Sequence, residues 1–368
     1  MTRHTWTGRA GAVAALLLAL ASCQPAAPAP AGAPAEARVA STSTVGADGP
    51  VVQRLANGLT VVVQPWRAAP VVCVRAYVRA GGLYEREWLG CGLSHLCEHL
   101  MAQEAVHEMP GGGGPHGQVE KHARTLEIGG QSNAYTTLGH TCYYISAAAD
   151  KALDCVDLIA EQVQRVDIAP ADFQREHGVV QRELEMGKDD PDRQMWYAHA
   201  ANVFGTHPAA VPVIGWAQPL SQVTRDDVLA YVRRMYVPQN MVFVVVGDVD
   251  APAVLQRVRR AFAGDARGRQ PLFTLPDVPG FSGVRRRTVT NPNVQEAVER
   301  MSFQTIDLLH EDLYALDVLS YILSQGRSSR LVRALQFERS LVTRISTSSW
   351  TPAWGRGLFT VSFRAAPD

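Results

Sequence analysis

The chain has 368 residues, of which 35 are basic and 35 are acidic, so its formal net charge at pH 7 is zero. A balanced charge excludes the strong general attraction to nucleic acids or anionic membranes that a basic protein shows. The length corresponds to about two domains, and the hydrophobic content of 46% is that of an ordinary globular protein.

The amino-terminal segment has the features of an export signal. Arg3 and Arg9 precede an apolar run over residues 10–21, which is too short to span a bilayer as a stable helix. The run ends in Leu20-Ala21-Ser22-Cys23, which resembles the lipobox of bacterial lipoproteins, where the cysteine is lipidated and becomes the new amino terminus. The alternatives are a plain secretory signal or a short buried helix, with Cys23 as an incidental thiol.

Strands are predicted before the first helix of the folded part. Residues 51–55 and 59–64 flank Asn57-Gly58, which is typical of a β-hairpin with a tight turn. Residues 71–80 are rich in residues with high β propensity and predict a central strand, which Gly81 and Gly82 end.

The most informative stretch, residues 93–102, is predicted to be an amphipathic helix. One face carries an apolar stripe of Leu93, Leu96, Cys97, Leu100 and Met101. His95, Glu98 and His99 lie on the opposite face, where two imidazoles four residues apart can bind one metal ion. Glu98 is placed to accept a proton from a water molecule that this ion activates. The pattern His-x-x-Glu-His is the inverted form of a zinc-binding signature; two surface histidines with a solvated neighbour are the alternative.

A second predicted helix, residues 170–188, carries two acidic residues beside its buried stripe. The stripe consists of Phe173, Val180 and Leu184. Glu176 and Glu183 are seven residues apart, so they share a face that borders the stripe. The solvent side is predicted to carry Arg175, Arg182 and Glu185. A buried acid needs a partner, which a metal ion or its histidines would supply; salt bridges to neighbouring helices are the alternative.

The remaining strands and helices occur in groups. Strands are predicted at residues 131–137, 141–148 and 241–246, and further helices at 150–165, 195–204, 225–235 and 251–263. Grouped elements favour an α+β fold over alternating βαβ units. Hydrophobicity drops over residues 264–287, which predicts a linker. The predicted organisation is a signal peptide (1–22), a lipidated Cys23 with a Pro/Ala-rich tether (23–49), a first domain (50–265), a linker (266–285) and part of a second domain (286–368).

The number of cysteines limits how they can pair. If Cys23 carries lipid, five others remain, an odd number in an oxidising compartment, so at least one is a free thiol or pairs between chains. Cys97 lies on the apolar face of its predicted helix and is expected in the core. Cys73 and Cys142, on strands expected to be neighbours, are the candidate disulfide.

A series of motifs in the same order resembles the pitrilysin/insulinase family of zinc metallopeptidases, which includes the mitochondrial processing peptidases. The matching segments are residues 78–81, 92–101, 129–136, 176–183, 207–208, 213–215, 236–241, 244–249 and 326–331. The resemblance extends from residue 51 to the end of the sequence. It implies a metallopeptidase domain with a largely antiparallel sheet packed by helices, followed by an incomplete second homologous domain.

The resemblance also implies the roles of the candidate site residues. His95, His99 and Glu183 would bind one Zn²⁺ per chain, with Glu98 as the general base. Glu176 would support the site from behind the ligands. Asn133 and Ala134 would line the cleft, where an extended peptide pairs with their strand; for Asn133 a turn residue at a strand end is the alternative.

The implied function is that of a zinc-dependent endopeptidase acting on peptides or unfolded segments, and the alternative is a non-catalytic partner or scaffold subunit of a pitrilysin-like complex. The expected partners are a peptide substrate and a homo- or hetero-oligomer that completes the cleft. The expected location is the periplasmic side of a Gram-negative outer membrane, through the lipid anchor alone, because Gln24 rather than Asp follows Cys23. Since the segment after residue 286 is short for the family's second domain, a fragment, a truncated product or completion by a partner is expected.

Overall fold

The structure is a computed structural model, which describes residues 36–46, 49–102, 124–164, 167–264, 273–281, 283–291, 294 and 296–366. The predicted signal peptide, Cys23 and most of the tether lie outside the described residues. In the part of the chain that is described, we find no helix with the length and apolar character needed to cross a membrane.

The chain divides into two compact units. The first comprises the residues up to Glu185 together with Pro212–Phe273, and the second comprises Met186–Val211 and Thr274–Asp368. The second unit thus includes residues 186–211, which lie inside the predicted first domain. The domain limits proposed from the sequence stay a prediction.

The first unit is built on a seven-stranded sheet. Its strands are β1 (Val39–Thr44), β2 (Val51–Leu55), β3 (Thr60–Pro65), β4 (Val71–Val78), β5 (Gln131–Thr136), β6 (Thr141–Ala148) and β7 (Met241–Gly247). The strand order is β1-β2-β3-β7-β4-β6-β5, so β5 forms one edge. Among these neighbouring pairs only β3 and β7 run parallel. The predicted α+β fold with a largely antiparallel sheet is therefore confirmed.

A helix is present at each position predicted above, and the structure adds two helices that were not predicted, at Ala217–Ser221 and Leu313–Ser324. Those of the first unit are α1 (Leu93–Ala102), α2 (Ala152–Gln164), α3 (Pro170–Met186, with its last residue in the second unit), α5 (Ala217–Ser221), α6 (Arg225–Met235) and α7 (Ala251–Ala261). The second unit contains α4 (Pro191–Phe204), which begins four residues before its predicted start. The carboxylate of Asp190 accepts hydrogen bonds from the Asp192 and Arg193 amides, and Pro191 occupies the first helical position, where no amide is needed.

The second unit also has a sheet of its own. It consists of β8 (Val298–Gln304), β9 (Val342–Trp350) and β10 (Leu358–Ala365), arranged in the order β8-β10-β9 with antiparallel neighbours. Helix α8 (Leu313–Ser324) and a π-helical segment (Val332–Glu338) accompany it. A small buried cluster of Val332, Val342 and Ile345 forms the core between this segment and β9.

The candidate disulfide between Cys73 and Cys142 is wrong. The two residues lie on paired strands, but Cys73 is opposite Ser146 and Cys142 is opposite Tyr77. Four residues of extended chain separate them along the strands, about 13 Å, which is far beyond the Cα separation of a disulfide. The described cysteines, at positions 73, 91, 97, 142 and 155, are all free thiols.

A buried glutamate precedes α1. Glu85 is 2% exposed, and its Oε1 accepts a hydrogen bond of 2.8 Å from the backbone amide of Ser94 in the first turn of α1. Burial raises the pKa of Glu85 to about 8, against the opposing effect of amide hydrogen bonds from Ser94, Gly92 and Gly90. The carboxyl group therefore binds its proton more tightly in the folded chain than in the unfolded chain.

This difference predicts a specific pH dependence of stability. The contribution of Glu85 is fully present below its ordinary pKa of 4.5 and is lost as the pH rises through the folded value of about 8. Replacing Glu85 with Gln removes that proton equilibrium. In metal-free buffer, we expect the free energy of unfolding to fall more between pH 5 and pH 9 for the parent chain than for Glu85→Gln, measured by urea titration.

Glu87→Gln is the matched control for this experiment. Glu87 accepts a 2.8 Å hydrogen bond from Arg234, and although burial opposes the shift, this contact lowers the pKa of Glu87. Glu87 therefore stays ionised across the tested range in both states, and its replacement should leave the pH dependence unchanged. Equal slopes for the parent and Glu85→Gln would contradict the assignment.

Candidate metal centre

Helix α1 presents its polar face beside the edge of the sheet. The predicted apolar stripe is buried throughout, with exposed fractions of at most 6% for Leu93, Leu96, Cys97, Leu100 and Met101. Because this stripe faces the core, His95, Glu98 and His99 are turned to the opposite, half-buried side. The structure also brings α1 close to β5 and β6. The amphipathic pattern therefore predicts the orientation of the helix correctly.

Three predicted ligands come together at this face. One ligand atom from each of His95, His99 and Glu183 lies within 4.8 Å of the other two. Oε2 of Glu183 is 3.8 Å from Nε2 of His95 and 3.8 Å from Nε2 of His99. Helix α3 supplies Glu183, whose side chain is 40% exposed, while the two imidazoles are 16% and 21% exposed. The two histidines of the cluster are thus mostly shielded from solvent, whereas Glu183 lies on its solvent-exposed side.

The spacing of these atoms fits a zinc ion. In tetrahedral sites with Zn–N and Zn–O distances of about 2.1 Å, the ligand atoms are about 3.4 Å apart. The two separations that involve Glu183 are 3.8 Å, and all three ligand atoms lie within 4.8 Å of one another, so the side chains would have to move closer together to surround an ion. Two imidazoles and one carboxylate leave a fourth position for water or substrate, as in catalytic zinc sites. The metal-binding role of these residues remains a prediction.

The predicted supporting residue contacts one of the histidines. Oε2 of Glu176, a side chain that is 1% exposed, is 3.5 Å from Nδ1 of His99. A proton on Nδ1 that points to this carboxylate leaves the lone pair on Nε2 for a metal ion. Burial opposes protonation of His99, but the contact with Glu176 and the charges of Glu98 and Glu183 outweigh it and raise the pKa of His99.

Glu176 also contacts a cationic side chain, Arg175, which is predicted from the sequence to lie on the solvent side of α3. Arg175 donates a 3.0 Å hydrogen bond from Nε to Glu176 and a 2.8 Å contact from Nη1 to Asp172. Arg175 is thus not a purely solvent-facing residue, because its long side chain folds back along α3 to reach two carboxylates. This contact offsets part of the cost of burying Glu176.

The candidate general base has a hydrogen-bond partner that sequence reasoning missed. Thr136, the last residue of β5, donates from Oγ1 to Oε2 of Glu98 at 2.6 Å. Oγ1 of Thr136 is also 3.2 Å from the hydroxyl of Thr141, which donates to the carbonyl of Ala80 at 2.7 Å. Burial raises the pKa of Glu98, and the hydrogen bond from Thr136 partly opposes this effect. The carboxylate is therefore held in one orientation beside the ligand cluster.

The predicted substrate-contacting residues lie on the edge strand. Asn133 and Ala134 are in β5, paired on one side with Tyr144 and Tyr143 of β6. The other side of β5 has no strand partner in the described sheet. Asn133 is exposed, and its side-chain oxygen accepts a 2.8 Å hydrogen bond from the Ala134 amide. The structure thus brings these residues to an open sheet edge next to α1.

Solved structures share this fold. A protease from Helicobacter pylori superposes with a TM-score of 0.76 at 22% identity, covering 89% of this chain and 75% of that chain. A structure described as a peptidase M16 inactive domain, from Pseudomonas fluorescens, gives a TM-score of 0.72 at 18% identity, covering 89% of this chain and 74% of that chain. At these identities the likeness concerns the fold alone.

Sequence comparisons identify the family to which the chain is similar. The model of the insulinase family, peptidase family M16, matches residues 60–215, and that of the peptidase M16 inactive domain matches residues 222–368. A Mycobacterium tuberculosis protein named "uncharacterized zinc protease" is 30% identical over 289 residues, covering 78% of this chain and 64% of that protein. The chain therefore spans just under two thirds of that relative's length. On these matches, the chain belongs to the pitrilysin/insulinase family of peptidases, family M16.

Proposed function

We propose that this chain is a zinc-dependent endopeptidase that hydrolyses peptides or unfolded polypeptide segments. The observation that carries the proposal is the convergence of His95, His99 and Glu183, with the carboxylate of Glu98 on the same helix face. The name of the mycobacterial relative supports the choice of metal and of reaction class. One zinc ion per chain is proposed, because these three residues offer a single set of ligands.

Each residue around this cluster has a separate role in the proposed reaction. A zinc ion bound by His95, His99 and Glu183 would supply the positive charge that polarises the scissile carbonyl and lowers the pKa of water. Glu98 accepts a proton from the attacking water and later donates it to the leaving amine. Thr136 holds the carboxylate of Glu98 in place for both transfers. Glu176 orients the ring of His99.

The open edge of β5 is the proposed binding surface for substrate. An extended peptide can pair with unpartnered backbone groups of an edge strand, which gives affinity that depends little on side-chain identity. Asn133 and Ala134 lie on this strand, three and two positions before Thr136. A substrate bound there lies along the strand that also holds the general base. This arrangement favours unfolded segments over folded proteins, because only an extended backbone can add to the sheet.

A non-catalytic partner or scaffold subunit is the second candidate. It is favoured by the match of residues 222–368 to the model of an inactive domain. The presence of all three ligands together with Glu98 favours the catalytic role for the first unit. We further propose that a second chain, identical or different, completes the cleft.

The proposed base is tested by replacing its carboxylate with an amide. We expect purified Glu98→Gln to keep the zinc content of the parent chain and to lose at least about 100-fold in the turnover of an unstructured quenched peptide. His95→Ala should lose both zinc and turnover, and Glu87→Gln, at an exposed position in a short 3₁₀ helix, should lose neither. Zinc is measured by atomic emission in the same samples.

The other outcomes of this experiment are equally informative. Peptidase activity retained in Glu98→Gln would overturn the role of Glu98. Zinc without turnover in the parent chain would favour the non-catalytic candidate. A folded parent chain that binds no zinc would refute the proposed metal centre.

Thr136 provides a second test of the mechanism. Thr136→Val removes the hydroxyl at nearly constant volume, so we expect kcat to fall about 10-fold or more, because a hydrogen bond to a charged group is lost. KM and zinc content should stay close to the parent values. Thr136→Ser keeps the hydroxyl and should restore most of kcat. Both kcat and KM are measured by steady-state kinetics. An unchanged kcat in Thr136→Val would exclude the proposed role of Thr136 in orienting Glu98.

We also propose that the chain is exported and anchored through a lipid on Cys23, at the periplasmic side of an outer membrane. The support is the order of basic start, apolar run and Leu-Ala-Ser-Cys in the sequence. Metabolic labelling with palmitate in a Gram-negative host should label the parent chain and leave Cys23→Ala unlabelled. Equal labelling of both chains would refute the anchor.

A further inference from the structure

The metal-binding helix begins without a capping side chain of its own. The residue before Leu93 is Gly92, whose φ of +66° and close approach to Ile214 exclude a side chain: a Cβ there would lie 2.0 Å from the Ile214 carbonyl oxygen. A helix normally satisfies its first amides through a Ser, Thr, Asp or Asn at this position. Gly92 cannot do so, and another group must accept these hydrogen bonds.

Glu85 supplies the missing acceptor from seven positions upstream. Its Oε1 accepts a hydrogen bond of 2.8 Å from the Ser94 amide, and the backbone amides of Gly92 and Gly90 also act to lower its pKa against the effect of burial. The hydroxyl of Ser94 forms a further hydrogen bond of 2.8 Å with that of Tyr231 in α6. The first turn of α1 is therefore held by polar contacts from two separate segments.

Burying the carboxyl group of Glu85 costs free energy, which argues that this group has a specific role. Glu85 is 2% exposed, and we find no ion pair of Glu85 with a cation among the described residues. Burying a carboxyl group without a cation disfavours its charged form, as the raised pKa reflects. An apolar side chain of similar size would fill the same space without this cost. What it would lack is the oxygen that meets the amide of Ser94, the residue next to His95.

We propose that Glu85 is a positioning residue for the metal centre: by accepting the Ser94 amide, it fixes the axial position of α1 and hence of His95. The proposal rests on the zinc site of the proposed function. It attributes the position of α1 to an acceptor oxygen that only a side chain as long as glutamate brings to the Ser94 amide. Both the oxygen and the length of the side chain therefore matter.

The test compares three replacements in the purified full chain. Glu85→Met removes the acceptor, Glu85→Asp keeps a carboxylate that is too short to reach the amide, and Glu85→Gln keeps an acceptor oxygen at the original length. Glu87→Gln, two positions further along the chain, is the control. Zinc affinity is measured by competition with a chromophoric chelator. Hydrogen exchange of the peptide covering residues 92–99 is measured by mass spectrometry in metal-free protein.

We expect zinc affinity to fall about 10-fold in Glu85→Met and Glu85→Asp, as for other residues that orient metal ligands indirectly. Exchange at residues 92–99 should be faster in both. Glu85→Gln should stay within about threefold of the parent affinity, by the same scale. If Glu85→Met does not fold, the comparison of Asp with Gln decides alone. Parent-like affinity and exchange in Glu85→Asp, or an equal loss in Gln and Asp, would overturn the proposal.

The two readouts separate this inference from the proposed function. If the folded parent chain binds no zinc, the metal centre fails, and the exchange data still show whether Glu85 holds the first turn of α1. If the parent binds zinc and all variants bind it equally, only the role of Glu85 fails.

Discussion

The burial of the apolar stripe of α1 is the interaction on which the candidate site depends. Each large apolar side chain that is fully buried contributes about 1.5–3 kcal/mol to stability, and this stripe is almost entirely excluded from solvent. The stripe fixes the rotation of α1 about its axis, so the imidazoles cannot turn into the core. Hydrophobic contacts have no direction, however, and leave the axial position of the helix less defined. The polar contacts at its first turn supply that definition.

A line of alternating charge supports the site from the side of α3. It runs from His99 through Glu176 and Arg175 to Asp172. Each buried carboxylate in this line faces a group that carries or can take a positive charge, which lowers the cost of removing it from water. Glu183, at the open side of the cluster, is 40% exposed and needs no such compensation. The two acidic residues that share one face of α3 thus have different environments and different tasks.

Much of the fold could be predicted from the sequence, because it follows from local periodicity, whereas Glu183 enters the candidate ligand set only through the family resemblance. The stripe of α1, the β2–β3 hairpin and the common face of Glu176 and Glu183 each depend on residues close in sequence. The contact of Thr136 with Glu98 joins residues 38 positions apart, and a threonine at a strand end carries no sequence signal for it.

Strand register could not be predicted from local sequence patterns either. Cys73 and Cys142 were expected on neighbouring strands, and they are, but register is set by the pairing of whole strands and not by the two residues themselves. The same limit applies to α4, whose start is determined by the cap at Asp190 rather than by apolar periodicity. The contact of Glu85 carries no sequence signal, because a glutamate eight positions before the first residue of a helix follows no known capping pattern.

The position of β7 has a consequence for how the chain folds as it is synthesised. Although β3 and β4 are consecutive strands, β7 lies between them and pairs with both. Until residue 247 leaves the ribosome, the facing edges of β3 and β4 have no partner, even though α1 and α3 are already complete. Contacts between such distant segments form slowly, and unpaired edges attract other chains. The nascent first unit is therefore most open to aggregation or chaperone binding while residues 186–240 are being translated.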